Sequence, residues 1–191
     1  MSLEEKIRSV EELFACLDQE IKQFKGWSGL DCLKDCVRCC TKENIEATIL
    51  EFLPFAYHLY QKGKALEFHQ LLEASPKGIC QVFNPLALDG AFCSEYLHRG
   101  LICRLFGFSA RLNKYNLPEL ITCQEIKFKF PDAIQAVQQI QQPEKFPILA
   151  HHYMRLKQID WELSREFYPL NVAIKKALEM VIQYFSYRET G

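Results

Sequence analysis

Leu3, Ile7, Val10, Phe14, Leu17, Ile21 and Phe24 recur at alternating spacings of four and three residues. That is the repeat of one helical stripe, so the spacing predicts an amphipathic helix over 3–25. Gly26 and Gly29, around Trp27-Ser28, are expected to end it. About three heptads favour packing on the chain's other helices over a coiled-coil dimer. A second helix is predicted over 43–61, with Ile45, Ile49, Phe52, Ala56 and Leu59 on one face and Thr41 as its N-cap. Pro54 lacks a backbone donor and is expected to kink or interrupt it. A shorter helix over 64–74 follows Gly63.

Beyond Ser75-Pro76 the helical period fades. Residues 76–110 read as turn-rich, and Asp89-Gly90 is a tight-turn signal suited to a small hairpin. Residues 124–130 (QEIKFKF) alternate apolar and charged, which predicts a short strand. Three helical patterns close the chain. The first covers 131–141. Leu149, His152, Leu156, Ile159 and Leu163 mark the second. Leu170, Ile174, Ala177, Val181 and Phe185 mark the third, with Pro169 near its start, where proline is tolerated. The expectation is a mainly α fold, one domain over 1–191. An irregular cysteine-rich region at about 32–123 lies between the N-terminal helix and C-terminal helices over 146–187, with room for a short β-hairpin.

Composition narrows the function. The 191 residues are 49% hydrophobic and 25% charged, ordinary for a globule that builds a core without staples. Lys+Arg number 23 against 24 Asp+Glu, a net charge of −1, which removes the bulk electrostatic argument for nucleic-acid binding. No apolar run reaches the ~18 residues of a membrane helix. MSLEEKIRSVEELF carries acids where a signal peptide would be basic and then apolar. A cytoplasmic location is therefore expected. In a reducing compartment the nine cysteines point to metal binding or reactivity rather than to structural disulfides.

Four of them, Cys32, Cys36, Cys39 and Cys40, fall within DCLKDCVRCC. At about 100° per helical residue their thiols would share an arc of about 100°. A strand would scatter them, so a helical or turn-like presentation is expected. Lys34 and Arg38 are close enough to favour thiolates. A merely hydrophobic role is a poor account, since Leu33 and Val37 are the only other apolar residues between them. Metal or iron–sulfur ligation explains the clustering best, ahead of a redox dithiol. Cys80 and Cys93 flank the predicted Asp89-Gly90 turn, which would bring them side by side. Cys103 follows in EYLHRGLICRLFGF, where Tyr96, Arg99 and Arg104 could give hydrogen bonds or positive charge to thiolates, or form an ordinary amphipathic surface. Cys123 is close enough in sequence to fold back. Cys16, beside the stripe of the first helix, reads as a packing residue.

Residues 32–40 match C-x3-C-x2-C-C, and residues 80–108 read C…DG-x2-C-x2-Y-x2-R-x3-C-R-x-F-x-F. Together these two blocks resemble the CxxCxxCC cysteine-cluster family, the YkgJ-type zinc- or iron-chelating domain. Gly100 and Gly107 stand where relatives usually have proline, and the stretch from Cys80 to Cys93 is longer. The resemblance implies metal chelation and says little about biological role.

All-thiolate ligation selects zinc or iron–sulfur chemistry over magnesium, calcium or manganese. Eight cysteines, 32, 36, 39, 40, 80, 93, 103 and 123, could make two four-coordinate sites, or one cluster with additional ligands; the adjacent pair Cys39-Cys40 suggests neighbouring sites that could share a thiolate. Zinc is favoured, with iron–sulfur close behind. A full sulfur shell leaves no open position for water, which argues against hydrolytic zinc. Cys32-x3-Cys36-x2-Cys39 also resembles the radical S-adenosylmethionine signature, and flagellin lysine methylases carry a related cluster, so methyl transfer is a rival reading. Against it stand Arg38 in place of an aromatic and the missing βαβ alternation. A third reading is a metal-stabilised adaptor presenting its first helix and the YFSY tail to a protein partner. Among the histidines, His152 falls on an apolar stripe as a core residue, while His98 sits nearest the cysteines. No Ser–His–Asp order, phosphate loop or HExxH is present, and no catalytic residue is assigned.

Overall fold

The computed structural model describes residues 1–33, 36, 38–74, 78–82, 93 and 95–189. Helix α1 runs over Leu3–Ser28, about 39 Å at 1.5 Å per residue. Its start is a reciprocal capping box: the Glu5 amide donates to Ser2 Oγ at 3.2 Å and the Ser2 amide to Glu5 Oε2 at 2.6 Å, worth about 1 kcal/mol. Gly26 stays inside the helix, contrary to expectation. The terminator is Gly29, whose φ of 69° is one that glycine adopts without strain, its N–H bonded to the Lys25 carbonyl.

The predicted helix over 43–61 is not continuous. Strand β1 (Glu46–Ala47), a 3₁₀ turn (Leu50–Phe52) and helix α2 (Leu53–Gln61) share that stretch. β1 pairs antiparallel with β4 (Tyr168–Pro169), and the Leu170 amide bonds the Ile45 carbonyl at 2.9 Å. Pairing with a distant segment thus overrides the local helical period. Pro54 lies in the first turn of α2, where its missing N–H leaves no bond unmade, so it starts a helix instead of kinking one. Thr41 caps nothing; its hydroxyl donates to the Arg38 carbonyl at 3.4 Å within a turn.

Helix α3 covers Ala65–Ala74 and α4 Leu101–Leu105, after a 3₁₀ turn at Tyr96–His98. Strands β2 (Ser109–Leu112) and β3 (Pro118–Ile121) form an antiparallel hairpin. Asn113 Oδ1 accepts the Tyr115 and Leu117 amides in its loop, where Asn116 has φ 61°. The expected hairpin at Asp89-Gly90 lies outside the described residues. Residues 124–130 form helix α5 (Gln124–Lys129), not a strand, because Cys123 caps it: its sulfur accepts the Ile126 amide at 3.5 Å. Only Ile126 of α5 is buried, while Phe128 is 89% exposed, so the alternation reflects no sheet face.

Helices α6 (Pro131–Gln138), α7 (Leu149–Ile159), α8 (Trp161–Ser164) and α9 (Leu170–Glu189) complete the chain. α7 stops short of Leu163 because Asp160 caps α8, its Oδ1 accepting the Leu163 amide at 2.9 Å. The main core packs α1, α2, α3, α7 and α9 around Leu17, Leu53, Phe55, Leu72, Leu156 and Ile174. A smaller core joins Phe24 of α1 to Phe108, Ala110, Ile126, Ile134 and Phe146. The apolar stripe of α1 is consumed in these two cores, as its packing within the chain requires. The fold is a mainly α domain with two small sheets among the described residues. No described helix is long and apolar enough to cross a membrane.

Candidate metal centre

Leu30 is fully buried in the smaller core and anchors the exit from α1. The cysteine block that follows is presented by turns. The Cys32 amide donates to Asp31 Oδ1 at 2.6 Å, the Cys36 amide to the Leu33 carbonyl at 3.2 Å, and a turn spans 38–41. Cys39 Sγ and Cys40 Sγ stand 4.0 Å apart. The Cys80 amide then bonds the Cys40 carbonyl at 3.1 Å, tying the second cysteine block to the first.

A cavity of about 620 Å³ results, lined by Cys32, Cys36, Cys39, Cys40, Cys80, Cys93 and Cys103. Phe52, Phe55, Ile102 and Leu170 form much of its apolar wall. Cys123 is not in that wall, but its charge reaches Cys32 from the N-cap of α5. Cys16 is exposed on α1 and takes no part in packing, contrary to the sequence reading.

The thiols act on one another. Burial, then the neighbouring sulfurs of Cys36, Cys39 and Cys123, push Cys32 up to about 11. Cys40 is hydrogen-bonded with Cys39 and with Cys93. That hydrogen bonding lowers Cys39 and Cys93 and raises Cys40. Burial raises Cys103 most, followed by the charges of Cys80 and Glu51. Arg99 works in the opposite sense, its cation favouring thiolates at Cys39, Cys93 and Cys103. Cys32 thus feels Cys36, Cys39 and Cys123, Cys40 feels Cys39, Cys80 and Cys93, and Cys103 feels Cys80 and Cys39.

Of the three expected supporting residues, Tyr96 and Arg99 line the cavity. The Arg99 guanidinium lies 3.5 Å from the Tyr96 ring centroid, and its Nε donates to the Tyr96 carbonyl at 3.1 Å. Arg104 faces the other way. It is buried, paired with Asp18, and donates to the carbonyls of Leu97 and Arg99. Its guanidinium thereby fixes the backbone that carries Tyr96, His98 and Arg99.

Glu51 was not foreseen. It is fully buried, and Oε1 accepts the Thr48 amide at 2.8 Å and the Thr48 hydroxyl at 3.0 Å, while Oε2 accepts the Ile102 amide at 2.9 Å. It therefore clips the start of α2 to α4, where Cys103 resides. Its signal was available: a lone carboxylate inside the apolar run ILEFLPF. Among the histidines, His152 is buried in α7 with Nε2 3.0 Å from Glu20 Oε2, whereas His98 lines the cysteine cavity.

The donor chemistry fits a soft or borderline metal. Two sulfurs on one tetrahedral zinc are held about 3.8 Å apart by bonds of about 2.3 Å, close to the Cys39–Cys40 separation. The Cys40 S–H proton must leave for ligation, so loading would release protons. No curated protein and no solved structure matches the chain. Residues 31–143 match the family model CxxCxxCC: Putative zinc- or iron-chelating domain, which takes in both cysteine blocks and continues through α5 and α6. With more than half of its length matched, this metal-binding chain belongs to the CxxCxxCC family.

Proposed function

We propose that the protein holds zinc in two adjoining thiolate sites. Cys32, Cys36 and Cys123 form one site with Cys39, and four of Cys39, Cys40, Cys80, Cys93 and Cys103 form the other. The observation that carries this reading is the convergence of seven cysteines from separate segments on one cavity. Zinc fits because thiolates select it and its tetrahedral preference suits groups of four. Arg99 offsets part of the negative charge that so many thiolates accumulate, and Arg104 keeps the Arg99 backbone in place. Thiolate ligation needs a reducing compartment, so this reading puts the protein in the cytoplasm.

Elemental analysis of anaerobically purified protein tests it. Colourless protein carrying at least two zinc equivalents is expected. Brown protein absorbing broadly near about 400 nm would replace zinc with an iron–sulfur cluster, and metal-free protein that takes up no zinc would overturn the reading.

A further inference from the structure

We propose that His58, Glu95 and His98 form a second, nitrogen-and-oxygen metal site beside the cysteine cavity, taking a divalent first-row transition ion. One ligand atom from each of the three residues lies within 4.8 Å of the others. Their origins differ: His58 projects from α2, while Glu95 and His98 flank and end the 3₁₀ turn after Cys93. The imidazoles are stacked, with ring centroids 3.6 Å apart and planes 24° apart.

His58 Nε2 makes the case. It is buried and makes no hydrogen bond among the described residues, although Glu95 Oε2 is only 3.3 Å away. A buried nitrogen without a partner costs about 1–3 kcal/mol, and a bound cation would remove that cost. Two imidazoles and one carboxylate make a facial set that leaves open positions on the ion. Lys62 Nζ stands 4.0 Å from Glu95 Oε1, so the carboxylate's other oxygen already has a cation to orient it. Ligand atoms on a common ion sit about 3 Å apart, given metal–nitrogen bonds near 2.1 Å. The set must therefore close by roughly 1–2 Å, a side-chain rotation within reach of rings at a cavity edge. The site shares no ligand with the thiolate centres, so the two proposals stand separately.

The test is a titration of the intact, reduced protein with Zn²⁺, and in parallel with Co²⁺, following histidine ¹⁵N resonances and absorbance. The ring nitrogens of His58 and His98 are expected to shift together on zinc addition, while His69, His151 and His152 stay put. Glu95→Gln should weaken that extra ion roughly 10- to 100-fold. His58→Ala should lower the metal content by one equivalent. In both variants the thiolate-to-cobalt absorbance should be unchanged. If His58→Ala does not fold, Glu95→Gln, which keeps both rings, gives the reading alone. Unmoved His58 and His98 resonances, or unchanged metal content and affinity in the variants, overturns the proposal. So does loss of the thiolate band in Glu95→Gln, which would make these residues supports of the cysteine centre. Shifted imidazoles without any thiolate band would overturn only the thiolate reading.

Discussion

The backbone amide of Cys80 donates to the carbonyl of Cys40 at 3.1 Å. This bond joins two cysteine blocks that are remote in sequence, and it sets their sulfurs on one wall of the cavity. Cys40 sits in a turn and Cys80 outside any helix or strand, with the helical core behind them.

Metal removal should therefore act locally. With chelator, amides of residues 78–82 and 95–105 are expected to exchange faster, while those in the middle of α1 and α9 stay protected, since the main core contains enough apolar burial to persist. Hydrogen exchange read by mass spectrometry, with and without chelator, checks this. Uniform deprotection of the whole chain would contradict it.

Glu51 should give the protein a distinctive pH dependence. Burial, outweighing the Thr48 and Ile102 donors, raises its folded value to about 7 from 4.5. Between those values the folded state holds a proton that the unfolded chain has lost. This carboxyl's contribution is thus full below pH 4.5 and falls as pH rises to about 7. The total loss is on the order of 3 kcal/mol. Glu51→Gln cannot ionise, but its amide must set a donor against one of the existing donors. The variant should be less stable at pH 5, and the gap to wild type should narrow towards pH 8. Paired urea titrations across that range measure it, with the pH dependence of the metal sites common to both proteins.

Gly100 is required by space alone. Its φ of −65° is one that any residue, proline included, adopts. A Cβ there would lie 2.6 Å from Phe52 Cζ and 3.0 Å from Glu51 Oε2. The buried Phe52 ring thus blocks the proline that the family resemblance would place at this position. Gly100→Ala should cost about 1–3 kcal/mol through overpacking. Adding Phe52→Leu to that variant should recover part of the loss in a denaturant melt.

Arg104→Ala should cost about 3 kcal/mol, because it leaves the carbonyls of Leu97 and Arg99 without donors and Asp18 without its cation. Arg104→Lys should recover less than half of this, since an ammonium cannot span the same fork. Metal affinity should fall in both variants through the displaced Tyr96–Arg99 segment. Zinc titration alongside thermal melts separates the two effects.

The apolar stripes of α1, α7 and α9 were legible because each helix buries one face, and that face imprints its period on the residues. The thiol inventory was legible because cysteines at such density have few roles in a reducing environment. The short elements were less so. Residues 46–47 were hidden within a helical pattern, since their pairing partners, Tyr168 and Pro169, lie across the chain. Residues 124–130 alternate like a strand, yet the Cys123 cap makes them helical.

Local order thus determined which helices form and which residue types could hold a metal. Tertiary structure decided which sulfurs face one another, that Arg104 secures the backbone instead of the thiols, and that His58 meets Glu95 and His98. Periodicity is a property of one segment against a single surface, so it survives in one dimension. A ligand set depends on distances between side chains from separate segments, and those exist only after the cores around Leu17 and Phe24 have closed.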